Sequence, residues 1–258
     1  MLKNNKPNKL QYIFFLFLIL LLFEGYYCKF SRQRINAEGS FCGKYLKNFW
    51  GETGFVETTQ VILIFFALLL SIYLSIKFKK KIEKIFLYLL SIGLFYYLGE
   101  ELSWGQHYLH FETPQFLKSV NNQKEFNLHN ISNLFDQVPR SIVFIICSFS
   151  FLYVLMYQKL FKKKIKYEYF ILPNKNLSYL SIILIIISLP NFLDDKFNLE
   201  LYNYFTNIWG IHLGNKIYEL LTLNYIRLSE FQELIFAFYF LNYMIALSSY
   251  CSVTRKIN

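Results

Sequence analysis

Long apolar runs divide this chain, and the charged residues in the gaps between them alternate in sign. Stretches 1–9, 77–84, 159–176 and 251–258 hold 16 of the 27 Lys and Arg residues but only Glu83 and Glu168 of the 17 acids. The remaining segments carry the other 15 acids. An apolar run near 20 residues long closes its backbone hydrogen bonds within one helix and crosses a bilayer, and basic residues stay on the cytoplasmic side. The pattern predicts an all-α polytopic bundle with both termini cytoplasmic, and it places nearly all the acids at the opposite face.

Six spans are expected, at about 10–28, 56–76, 85–104, 141–161, 177–193 and 231–250, within a single membrane domain over residues 1–258. Runs shorter than 20 apolar residues need tilt or snorkelling lysines. The first run follows Lys3, Lys6 and Lys9 as a signal peptide would. No small-x-small cleavage site follows Phe23, so an uncleaved anchor is expected. The net charge of +10 resides in juxtamembrane clusters such as Lys79-Lys80-Lys81 and Lys162-Lys163-Lys164. Attraction to anionic lipid at the cytoplasmic face accounts for them, so the bilayer is the expected partner and nucleic acid is not. Cys28 and Cys42 share the first outer loop, where an oxidising exterior permits a disulfide; two independent thiols are the alternative.

The polar residues concentrate after the third run, in Gly99-Glu100-Glu101-Leu102-Ser103-Trp104-Gly105-Gln106-His107. On a continuing helix Glu100, Trp104 and His107 share a face. A carboxylate at membrane depth is costly unless it faces a bundle interior or a cavity, which makes Glu100 and Glu101 functional candidates. Asn121-Asn122-Gln123-Lys124-Glu125-Phe126-Asn127-Leu128-His129-Asn130 follows. A helix over Glu125 to Phe135 would set Glu125 and His129 four apart, a spacing suited to a divalent metal, with His107 or Glu100 as a further ligand. Gln106, Gln123, Asn127 and Asn130, with Trp104, would hold a polar substrate. Thr113-Pro114 should cap a short surface helix carrying Phe116, Leu117 and Val120. Ser229 should cap the last helix, leaving Glu233 buried at its start. The third outer loop, 194–230, reads as interfacial through Trp209, His212 and Tyr218.

The series Glu-Glu-x-Ser-Trp-Gly-Gln, Thr-Pro and Asn-Leu-His-Asn over 99–130 resembles a set of uncharacterised bacterial multi-pass membrane proteins; the likeness implies a plasma-membrane bundle and no particular reaction. Glu100-Glu101 is also similar to the Glu-Glu pair of the CAAX-type intramembrane proteases. Phe126 and His129 are one residue short of that family's Phe-x-x-x-His, and His212 lacks its acidic or amide partner at the fourth following position.

These residues support a metal-assisted hydrolase or transferase on a lipid-linked substrate, with Glu101 or Glu233 as the general base on a bound water. A small transporter using Glu100 and Glu233 is one alternative. Another is an assembly protein docking a partner through Trp104, Phe111 and Phe116.

Overall fold

A computed structural model describes residues 9–30, 48–50, 54–121, 124–128, 131–160, 170, 176–197, 200–223 and 226–255. Among them, the longer helices are α1 (Lys9–Phe30), α2 (Phe55–Lys77) and α3 (Lys81–Glu101). Two short ones follow, α4 (Gln106–Leu109) and α5 (Gln115–Val120), then α6 (Asn133–Leu160), α7 (Leu177–Phe197), α8 (Leu201–Thr222) and α9 (Leu228–Arg255). No strand occurs among the described residues.

Four of these helices, α1, α2, α3 and α9, contain stretches long and apolar enough to cross a membrane. The fourth and fifth expected spans are shorter, with apolar cores over Val138–Tyr153 in α6 and Leu177–Pro190 in α7. Arg140 interrupts the first of these near its start, and Asp194-Asp195-Lys196 ends the apolar part of the second.

Helix α9 is the axis of the bundle. Every residue from Leu234 to Phe240 is buried, as a helix apolar on all sides requires. Its broadest interface is with α2, and Phe238 stacks on Phe14 of α1 at 3.6 Å between ring centroids. Small hydroxyl residues let the helices approach: Ser71 of α2 and Ser91 of α3 share a hydrogen bond of 2.7 Å, and Ser181 of α7 donates to the carbonyl of Cys147 on α6.

These contacts fix the two ends of the bundle. Gln60 of α2 donates to the backbone oxygen of Glu230 at the start of α9, and Gln232 of α9 donates to Ser188 late in α7. This end therefore gathers the starts of α2, α6 and α9 with the finishes of α3 and α7. The opposite end holds Lys77, Lys79, Lys80 and Lys81 in the α2–α3 connection, and the start of α1, where Gln11 donates to Asn176 ahead of α7. Cys28, near the finish of α1, is buried and disulfide-bonded, whereas Cys147 and Cys251 are free thiols. Cys42 lies outside the described residues.

Four local expectations change. Residues 124–128 are bends and not helix, and the next helix begins only at Asn133, so the four-residue spacing argument for Glu125 and His129 loses its premise. Thr113 does not cap α5, because its hydroxyl is buried and donates to the carbonyl of Lys124 at 2.7 Å. Ser229 lies inside α9, whose first turn is closed by Phe231 N–H on the Arg227 carbonyl at 3.1 Å. The loop read as 194–230 is largely α8, and α8 is a hairpin.

The reversal in α8 sits at Gly210, whose φ of 75° and ψ of 161° break the helix. Tyr202 and Tyr218 meet with ring centroids 5.5 Å apart, although 16 residues of continuous helix would separate them by about 24 Å. A Cβ built on Gly214 would fall 2.5 Å from the Phe205 oxygen and from the Thr206 Cα, so the two arms touch backbone to backbone there. Gly210-Ile211-His212-Leu213-Gly214 thus supplies both the break and the small residue that lets the arms close.

Candidate functional site

Helix α3 ends at Glu101, and the next residues turn left-handed: Ser103 at φ 44°, Trp104 at 51° and Gly105 at 89°. For non-glycine residues this conformation costs about 1–2 kcal/mol each, so the surroundings must hold it. They do. Ser103 donates to Glu125 Oε2 at 2.9 Å and accepts from Asn127 Nδ2 at 3.1 Å, while Trp104 Nε1 donates to Glu100 Oε1 at 2.8 Å. The turn ends the shared face expected of Glu100, Trp104 and His107, because His107 belongs to α4 beyond it.

The turn is one half of a polar clasp. Asn121 Nδ2 donates to both the backbone oxygen and Oδ1 of Asn127, at 2.9 and 2.8 Å, and its own Oδ1 accepts from Glu125 N at 3.3 Å. Asn127 Nδ2 also donates to Glu125 Oε2 at 2.8 Å. Gln106 bridges the two sides: its amide nitrogen donates to Thr113 Oγ1 at 2.6 Å and its oxygen accepts from Phe126 N at 2.7 Å. Leu128 N closes the clasp on Glu100 Oε2 at 2.8 Å. Trp104, Gln106, Glu125, Asn127 and Glu100 are therefore brought together, and the hydrogen bonds they make bind residues 124–128 to the end of α3.

Gln123, His129 and Asn130 lie outside the described residues, as does the side chain of His107. Among the described residues no group of three His, Cys, Asp or Glu side chains could hold a metal ion. Glu125 Oε2 is already engaged by Ser103 and Asn127, and the two oxygens of Glu100 by Trp104 and Leu128.

Gly99 is part of the same construction. A Cβ there would come within 2.8 Å of the Trp104 ring. Gly99→Ala should push the indole off Glu100, visible as a shift in tryptophan emission relative to a Gly93→Ala control, where a Cβ meets nothing within 4 Å. Unchanged emission in Gly99→Ala would show that the ring is not held there.

Glu101 belongs to a different group. Glu233 of α9 pairs with Arg140 of α6 at 2.7 Å, with the side chains 14% and 30% exposed. Arg227 and Glu230 pair at 3.0 Å, and Arg227 also donates to the Trp50 carbonyl at 2.9 Å. Tyr97, one turn before Glu101, donates to the Glu233 carbonyl at 3.4 Å. Glu101 lies within electrostatic reach of Glu233, Glu230, Glu57 and Arg140. Its carboxylate accepts no hydrogen bond from a described residue. Gln60, fully buried, uses its amide nitrogen on Glu230, and its Oε1 has no donor among the described residues.

Glu101 of α3 thus lies in the field of Glu57 of α2, of Glu230 and Glu233 of α9 and of Arg140 of α6, with Glu233 paired to Arg140 and Glu230 to Arg227. A carboxylate at membrane depth and one at the start of the last apolar run are what mark Glu101 and Glu233 in the sequence, whereas Arg140, Glu57 and Gln60 carry weaker marks. Their signal was present: an arginine directly after Pro139 at the head of an apolar run, and two polar residues three apart in the first turns of α2. No family model, curated protein or solved structure matches this sequence.

Proposed function

We propose that this chain is a multi-pass integral protein of the bacterial plasma membrane, with its basic clusters facing the cytoplasm. In this reading Glu101, with Glu233 and Arg140, forms an acid–base site at the exocytoplasmic face, serving a hydrolase or transferase that acts on a lipid-linked substrate. Two independent features support the orientation. Lysines of the α2–α3 connection lie at one end of the bundle and the acidic group at the other, and the disulfide-bonded Cys28 closes the acidic end, as an oxidising exterior favours.

The observation that carries the site is the division of the Glu100-Glu101 pair. Glu100 is committed to the clasp, whereas Glu101 keeps its oxygens clear of described donors and stands among other carboxylates. A carboxylate so placed takes a proton from a hydroxyl or a water brought against it. Arg140, already held by Glu233, is placed to stabilise negative charge that develops as the proton leaves. The clasp fixes the end of α3 and with it the position of Glu101. Transport by carboxylates would call for acids at mid-span depth, and the described parts of α2, α3 and α9 carry theirs near the ends.

The test compares wild-type and Glu101→Gln protein, each reconstituted and incubated with a lipid extract of bacterial membranes, by mass spectrometry of the lipids. A lipid-linked species consumed by the wild type and spared by Glu101→Gln, with equal thermal stability of the two proteins, is the expected result. Identical lipid profiles for wild type, variant and protein-free vesicles would overturn the enzymatic reading.

A further inference from the structure

Hairpin α8 leaves and rejoins the bundle at one end, because α7 finishes and α9 begins at the acidic end. Its tip is apolar and uncovered: Ile208 and Trp209 are 55% exposed and Ile211 is 73% exposed. The charged residues Glu200, Lys216 and Glu219 sit away from the turn, toward the feet. The arm before Gly210 is nine residues long, about 13 Å, and both arms close their own helical hydrogen bonds. Such a hairpin can enter an apolar medium without exposing unpaired backbone along its arms.

We propose that α8 is a wedge seated in the outer leaflet, with Trp209 at the boundary between lipid headgroups and acyl chains. The inference rests on the membrane reading above but not on the enzymatic one. Acyl chains are the occupant the surface fits. Hairpin α8 packs on α7, and α7 leaves Ile186, Leu189 and Phe192 exposed in the half that leads into the hairpin, so the bundle is open to an apolar medium on the helix beside it. Depth is set by the residues beside the tip. Asn207 and His212, both exposed, flank it and demand water or headgroup oxygens, which holds the tip about 5–10 Å into the boundary region. An indole, apolar in body with a polar N–H, suits that level. A wedge in this position would keep headgroups of the outer leaflet beside the Glu101 end.

The chain has three tryptophans, so the emission lost in Trp209→Phe isolates Trp209. The experiment measures that difference in vesicles containing phosphatidylcholine brominated at the 6,7 or the 11,12 acyl positions, and separately with aqueous iodide. The expected result is that the 6,7-dibromo lipid removes most of the Trp209 emission, the 11,12-dibromo lipid removes less, and iodide has little effect. Quenching by iodide and not by bromolipid would overturn the wedge by placing the tip in water. Quenching by neither, with a crosslinked dimer that Trp209→Phe abolishes, would overturn it in favour of a second copy of the chain. Alkaline carbonate extraction distinguishes the underlying reading: release of the whole protein from membranes would sink the membrane assignment itself, whereas retention with an iodide-quenched Trp209 would sink only the wedge.

Discussion

Glu100→Ala should destabilise the purified protein by about 3–6 kcal/mol in detergent or bicelles, and Glu101→Ala by far less. The first figure follows from two hydrogen bonds to a buried carboxylate, from Trp104 Nε1 and Leu128 N, each worth about 1.5–3 kcal/mol when the acceptor is charged. Removing the acceptor also strands two donors and frees the left-handed turn at Ser103 and Trp104 from one of its restraints. Glu100→Gln should lose less, because an amide oxygen can still accept from one of them. For Glu101 the balance reverses: no described donor is stranded, and one of four clustered carboxylates is removed, so stability should stay within about 0.5 kcal/mol or rise. Denaturant unfolding of the two variants side by side checks this. Equal losses would mean that adjacent glutamates are not divided between a structural and a functional role.

That division was not legible in the sequence, although the pair itself was. Adjacent residues on a helix point about 100° apart, so Glu100 and Glu101 necessarily face different surroundings. Which of them meets the clasp and which meets α9 depends on where α3 stops, and that depends on partners more than 20 residues away. Nothing local to Ser103-Trp104 predicts a left-handed turn; only Gly105 is suited to it. Asn121, Glu125 and Asn127 impose it, and their polar side chains read equally well from sequence as a ligand set. The same ambiguity explains Glu125, whose spacing to His129 suggested a metal on a helix that residues 124–128 do not form.

The helices themselves were far more legible. Apolar runs at Val56 to Ile76 and Phe231 to Tyr250 sit inside α2 and α9, because a run of that length has few other ways to satisfy its backbone. The elements that departed from expectation are those where apolar length ran short. Gly210 and Gly214 in α8 were visible as glycines four apart, but a hairpin needs the contact of Tyr202 with Tyr218 to distinguish it from a kinked interfacial helix. Arg140 is not distinguishable from sequence alone, because Pro139-Arg140 marks the boundary of a run as naturally as it marks a site.

Arg140 carries the second large effect. Arg140→Ala should cost about 3 kcal/mol, at the low end for a broken buried ion pair because the guanidinium retains 30% exposure. The cost should exceed that of Glu233→Ala, although both delete the same 2.7 Å pair. Loss of Arg140 removes the cation that pairs with Glu233 and acts on Glu101, so repulsion of Glu101 by Glu57, Glu230 and Glu233 adds to the stranded charge. Loss of Glu233 strands Arg140 but leaves Glu101 near enough to attract it, and relieves the repulsion among the acids. In the double variant the two losses should add to much less than their sum, since neither charge is then stranded. A double-mutant cycle from unfolding in a single detergent measures all four states. If Glu233→Ala proves as costly as Arg140→Ala, Arg140 serves only its one partner. If instead the order holds, the guanidinium is the counter-charge shared by the whole acidic group, and Glu101 owes its electrostatic setting to a residue on a different helix.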